Sequence, residues 1–325
     1  MLITFTVSRN DAGQRADRYL RRRLSRMGID RLNSLFRRKE IKVAKRPIER
    51  GYLLREGDEL RVYGLKPDEA ERSEPPAADI GSPFNIPILH EDDDILVLDK
   101  PAGLAVHPGT GIPPGETVIE KVRGRHVSRG WSVDGELFQP SLVHRLDKDT
   151  SGVLLVAKSG PALRDLTEAL RKGRFTKQYL ALVAGIPSPP QGRIEGNLQR
   201  VDSRSGGAKA EVAEDGGKTA ITRYRTAKTI GNFSLLSVII ETGRMHQIRA
   251  HMAHAGHPLV GDDRYGSHER NRAYRKGLGL KRIFLHAADL EVELPGRSRL
   301  VFHADLPPDL AGALERLSSL GVDAP

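Results

Sequence analysis

The sequence predicts an α+β protein with a large, mixed and largely antiparallel sheet flanked by helices, preceded by a small α/β unit. Three observations point to this. Beyond residue 84, strand-like apolar runs outnumber helical stretches, leaving too few crossover helices for a doubly wound parallel sheet. The first 65 residues hold two amphipathic helical stretches followed by short alternating segments. Between the two regions, residues 66–83 are acidic, contain prolines and are poor in large apolar side chains, the composition of a linker. The chain of 325 residues is thus expected to divide at 1–65, 66–83 and 84–325.

From Gly13 to Leu24, Ala16, Tyr19, Leu20 and Leu24 recur at helical spacing with arginines on the other face. A second amphipathic stretch, RLNSLFRRKE, follows Gly28, and IKVAKRPIERGYLLREGDELRVYG alternates like short strands between turns. In the larger region, strands are expected at 95–100, 152–158, 179–185, 220–225, 233–240 and 283–294. Helices are expected at 161–172, 244–255 and 308–317.

There is no cysteine, which removes disulfides, thiolate nucleophiles and Cys-ligated metals and fits a reducing cytoplasm. No run of eighteen apolar residues offers a membrane span, and MLITFTVSRND lacks the pattern of a signal peptide. The formal net charge is +10, and residues 1–65 hold 17 Lys and Arg against 8 Asp and Glu. Such a concentrated basic block suits a polyanion, because each cation set against a phosphate releases counterions. It also suits a merely solubilising surface.

Several motifs fail. DGGKT at 215–219 resembles the end of a phosphate-binding loop, but Val212 stands where the upstream glycine is required. His246, His251, His254 and His257 cluster in sequence without an HExxH pattern or any pair four apart flanking a carboxylate, so no metal is expected. The same stretch carries a sharper signal. Met245, Ile248, Met252 and Ala255 form an apolar stripe with Arg249 at its edge, about 40° from Met245 on a helix. A guanidinium half-buried there needs a carboxylate partner. A snorkelling surface arginine is the plainer alternative.

HRLDKDTSGVLLVAK (144–158), KQYLALVAG (177–185), TGRMHQIRAHMAHAGHPLVGDDRYG (242–266) and ILVLDKPAGLAVHPG (95–109) together resemble the RluA-type RNA pseudouridine synthases. Residues 13–64 are similar to an S4 RNA-binding domain. With GLAVHPGTG and RIFLHAADL (282–290), the combination looks closest to the RluC branch, which acts on large-subunit ribosomal RNA. The resemblance implies isomerisation of uridine without a cofactor, on a ribosomal RNA partner and with no membrane role; a monomer is expected. It implies Asp147 as nucleophile or stabiliser of the ribosyl cation, with Asp149 in a variable slot. Arg249 follows as the partner of Asp147. Tyr179 is expected to stack on the flipped base and remove the C5 proton, and Arg145 to fill the vacated stack. Arg18, Arg22, Arg37, Arg38, Lys39 and Lys42 are expected to face RNA.

Two departures stand out. Lys39 and Ala44 occupy positions where S4 domains usually carry glycine and asparagine; a positive φ at Lys39 costs roughly 1 kcal/mol. Two other functions remain open: a non-catalytic RNA-binding assembly factor on the same fold, and a histidine-based metal hydrolase.

Overall fold

The computed structural model describes residues 1–24, 26–69, 83–129, 138–202, 208–294 and 298–320. Most of the expected linker lies outside these ranges. Its first residues form a short turn, Pro67–Glu69, tied back by the Arg31 Nε hydrogen bond to Glu69 Oε1 at 3.0 Å.

The N-terminal region contains β1 (Ile3–Thr6), α1 (Ala16–Arg23), α2 (Ile29–Arg37), β2 (Ile41–Val43), β3 (Arg46–Pro47) and β4 (Glu59–Val62). The strands pair antiparallel in the order β1-β4-β2-β3. Tyr19, Leu20, Leu35, Ile41 and Leu60 are fully buried among the residues of this region's own core. Not every arginine of α1 faces outward: Arg23 is buried, donating to Asp11 Oδ2 at 3.3 Å and to the Tyr19 hydroxyl at 3.1 Å. Buried Asp11 supplies the countercharge that offsets the desolvation of this inward-facing arginine. Lys39 sits at φ 60° and Ala44 at φ 46°, so both unusual residues occupy left-handed backbone.

The second sheet is built from β5 (Ile88–Glu91), β6 (Ile95–Lys100), β7 (Ser141–Leu142), β8 (Ser151–Ala157), β9 (Phe175–Ala184), β10 (Gln191–Asp202), β11 (Ala208–Ala213), β12 (Lys218–Ile230), β13 (Phe233–Ile240), β14 (Leu285–Val292) and β15 (Leu300–His303). The path runs β11-β10-β12-β13-β9-β14-β8-β6-β5, with β15 beside β14 and β7 beside β8. Every pairing is antiparallel except β14 with β8. Around the sheet lie α3 (Val118–Ser128), α4 (Gly160–Arg171), α5 (Gln247–His254), α6 (His268–Leu278) and α7 (Pro308–Leu320).

All seven residues of β8 are buried, consistent with a strand covered on both faces. Its parallel neighbour comes so close that a Cβ on Gly152 would lie 2.1 Å from the Ala287 carbonyl oxygen, so glycine is obligatory there. Strands β6 and β13 occupy their expected spans, whereas β9 and β12 run longer. The helix expected over 244–255 begins only at Gln247, because His246 adopts φ 51° and breaks the preceding turn.

The N-terminal region touches the larger one at the start of α4. Asn10 Oδ1 accepts the Gly160 N–H at 2.9 Å, and a Cβ on Gly160 would strike the Asn10 carbonyl oxygen at 2.0 Å. The other end of α4, at Leu170 and Arg171, reaches a cleft over the larger sheet.

Candidate active site

This cleft, of about 550 Å³, opens between the loop before β8, strand β9, the end of β13 and α5. The loop is shaped from both sides. Leu146 is buried beneath it, and Thr150 N–H closes a turn onto the Asp147 carbonyl at 3.1 Å. Lys100, wholly buried, donates to the carbonyls of Pro101 at 2.7 Å, Leu104 at 2.9 Å and Lys148 at 2.9 Å. Burial draws the Lys100 pKa down to about 7. Three carbonyl acceptors nevertheless call for three N–H donors, which only the ammonium possesses.

Asp147 thereby projects into the cleft, while Asp149 is exposed and does not line it. Arg249 Nη1 donates to Asp147 Oδ2 at 3.3 Å. The guanidinium has its better geometry with a different carboxylate: Nε and Nη2 form a fork with Asp262 at 2.7 and 2.8 Å. Asp262 is buried, and its Oδ1 also accepts the backbone N–H groups of Arg264 and Tyr265 at 2.9 and 3.2 Å. Burial alone would lower the Arg249 pKa, but the hydrogen bonds and charge of Asp262, with Asp147 behind them, raise it. Arg249 is therefore a fixed cation, anchored by Asp262 and offering its remaining arm to Asp147.

Tyr179 projects from β9, is 5% exposed and lines the same cleft. Burial, then the charge of Asp147, pushes its phenol pKa upward, so the hydroxyl stays protonated. His246 Nε2 stands 3.8 Å from Asp147 Oδ2. Burial pulls its pKa down to about 4 against the opposing pull of Asp147, leaving the ring neutral near pH 7. Its Nδ1 lies 3.0 Å from the Tyr265 hydroxyl, which is itself held by both backbone groups of Ala210.

The remaining residues singled out from sequence are dispersed. Arg145 is exposed at the cleft rim. Arg18, Arg37 and Lys39 are exposed on the N-terminal unit. Arg22 lies 3.6 Å from Asp11, Arg38 pairs with Glu40 at 2.9 Å, and Lys42 rests over the Tyr63 ring at 5.1 Å. The histidines do not converge: His251 is buried against Thr222, His254 is exposed, and His257 meets the Ala184 carbonyl. Among the described residues no group of three or more His, Cys, Asp or Glu is arranged to hold a metal ion.

Sequence reasoning missed Asp262 and Tyr265 as members of the site, and singled out His246 only as one of four clustered histidines. The signal available was the arginine's demand for a carboxylate. It named one partner, Asp147, although the GDDRYG stretch supplied a second one thirteen residues after Arg249.

Residues 94–254 match the RNA pseudouridylate synthase family. The chain is 38% identical over 317 residues to ribosomal large subunit pseudouridine synthase C of Salmonella typhi, covering 96% of each chain. It is 38% identical over 315 residues to the protein of that name from Escherichia coli K12, covering 96% of this chain and 95% of the relative. Among solved structures, human RNA pseudouridylate synthase domain containing 4 superposes with a TM-score of 0.57 at 25% identity, covering 71% of this chain and 92% of that one.

Proposed function

Since the chain belongs to the RNA pseudouridine synthase family, we propose that it isomerises uridines to pseudouridine in large-subunit ribosomal RNA, using Asp147 as the catalytic carboxylate. The observation that carries this reading is the Asp147–Arg249 contact at 3.3 Å on the wall of a cleft that also holds Tyr179.

The base enters only when flipped out of its stack, at a cost of a few kcal/mol. Exposed Arg145 at the rim is suited to fill the gap it leaves. The N1–C1′ bond then breaks, its electron pair staying on the uracil, while Asp147 takes or stabilises C1′. After the ring turns, C5 bonds to C1′ and the carboxylate is released.

The C5 proton must then leave. A phenol held protonated by burial is a poor base, so Tyr179 is better suited to packing against the ring. The freed Asp147 carboxylate is the base in reach. N1 takes up a proton in turn, so none is gained or lost overall.

Residues 1–65 act in this proposal as an S4-like unit that grips RNA, with Arg18, Arg37 and Lys39 among its exposed cations. A non-catalytic assembly factor would have no need of a carboxylate, guanidinium and phenol converging on one cleft.

The test is pseudouridine mapping in large-subunit ribosomal RNA from cells with and without this gene, with Asp147→Asn and Asp149→Asn as complements. The missing sites should return with Asp149→Asn and not with Asp147→Asn, which should still bind RNA. Rescue by Asp147→Asn with failure of Asp149→Asn would transfer the role to the other carboxylate.

A further inference from the structure

Lys177 is an ionisable group of the cleft with no part in the scheme built on Asp147. It projects from β9 two residues before Tyr179, and because strand side chains alternate, both face the cleft. The position is central in the sheet, registered against Ile240 of β13 on one side and Leu290 of β14 on the other. It is 7% exposed. A cation buried to that degree is normally paired, yet among the described residues Lys177 has no hydrogen bond or ion pair.

The carboxylates that line the same cleft are engaged elsewhere. Asp147 is held by Arg249, and Glu241 by Arg223. His144 is kept neutral by burial and by the Lys177 charge, with Nε2 accepting the Leu155 N–H at 3.1 Å. The ammonium sits beside the turn that follows β13: a Cβ on Gly243 would be 3.7 Å from Nζ. That turn is fixed by Thr242, whose hydroxyl donates to Gln247 Oε1 at 2.7 Å and accepts the Ile221 N–H at 3.0 Å. A positioned, unpaired cation thus faces the space beside Tyr179.

We propose that Lys177 donates to a carbonyl oxygen of the flipped uracil and balances the negative charge that the base acquires when N1–C1′ breaks. The inference rests on the pseudouridine synthase reading. Heterolysis leaves the bonding pair on the ring, shared by N1, O2 and O4, while C1′ passes to Asp147. Before that step the base is neutral, so the ammonium gains most in the transition state, the condition for acceleration rather than mere binding. A backbone phosphate is the competing anion. It fits the site less well, because Lys177 is buried at the level of Tyr179 whereas Arg145 at the rim is exposed.

The experiment compares wild type, Lys177→Met and Lys177→Arg on one ribosomal RNA fragment, measuring single-turnover rate at saturating enzyme, RNA affinity and thermal stability. The Met variant should lose about 100-fold or more in rate, the typical cost of one preorganised donor to a developing anion. Its affinity should change less than about threefold, and Lys177→Arg should restore part of the rate. Removing a buried, unpaired charge should leave the melting temperature unchanged or higher.

A full rate for Lys177→Met overturns the proposal, as does a normal rate with weakened affinity and a shallower salt dependence, the mark of a phosphate contact. An unfolded or earlier-melting Met variant assigns the ammonium a structural role and overturns it too. Wild-type protein that forms no pseudouridine sinks the underlying reading instead. Wild-type turnover matched by the Met variant sinks this inference alone.

Discussion

Replacing Asp262 by asparagine separates the anchoring of Arg249 from every other contact in the cleft. The substitution keeps the shape, and Asn Oδ1 can still accept the N–H groups of Arg264 and Tyr265, so the turn after Asp262 survives. What disappears is one charge, on a side chain 0% exposed, facing a guanidinium 14% exposed. Removing one member of a buried pair costs about 3–5 kcal/mol when the survivor is stranded. Arg249 is not stranded, because Asp147 stands 3.3 Å away and one neutral acceptor remains. The expected loss therefore falls below that range, at about 2 kcal/mol, or several degrees in melting temperature.

The larger effect is on chemistry. Freed from its fork, Arg249 should swing onto Asp147 and engage the carboxylate proposed above to take C1′. A rate loss of about 10- to 100-fold is expected in a single-turnover assay, with RNA affinity little changed. If Asp262 acts through Arg249, adding Asp262→Asn to Arg249→Met should slow the reaction no further. Additive losses in that double variant, or a fully active Asp262→Asn, would refute the anchoring argument.

Three further outcomes follow. Charge reversal at the exposed Arg18 and Arg37 should flatten the log–log salt dependence of RNA binding, by about 0.7–0.9 for each phosphate no longer neutralised, while the rate at saturating RNA stays near wild type; an unchanged slope would mean these arginines face solvent. Lys39→Gly should raise stability in denaturant titration by up to about 1 kcal/mol, since φ 60° penalises lysine and not glycine; a destabilised variant would show that the lysine side chain contributes more than its backbone strain costs. Hydrogen bonding to Arg125, opposed by burial and reinforced by Lys158, lowers the Glu91 carboxyl from 4.5 to about 2. A lowered folded-state pKa gives stabilisation that is complete above pH 4.5 and lost as pH falls toward 2, so the melting temperature of wild type should decline across that window more steeply than that of Glu91→Gln.

The parts legible in the sequence were those governed by burial and period. The run Ile95–Lys100 and the run Phe233–Ile240 are strands because apolar continuity of that length admits little else. The first helix was equally plain, with Ala16, Tyr19 and Leu20 at helical spacing and all three buried. Strand β10, QGRIEGNLQRVD, was not read because its polar residues give no apolar alternation. Helix α6, HERNRAYRKGL, was missed because it buries only Asn271, Tyr274 and Leu278. Helical angles placed Arg249 correctly at a buried edge, but the assumed helix ran back through Met245 and His246. The left-handed turn at His246 is a tertiary outcome that local propensity does not encode.

The parallel pairing of β14 with β8 bears on when the protein acquires its cleft during folding. Ser151 and His286 lie 135 positions apart, yet the serine hydroxyl and His286 Nδ1 meet at 2.9 Å, and Arg282 reaches back to the Asp149 carbonyl at 3.2 Å. Closing a loop of that span is entropically late, after local contacts have formed. The basic unit of residues 1–65, by contrast, is stitched from contacts within itself and is synthesised before the strands of the cleft. A growing chain is therefore expected to own its cationic surface well before the strand that braces the Asp147 loop has been made. Synthesis order alone would keep the partly built protein catalytically silent until Leu285 and its successors have joined the sheet.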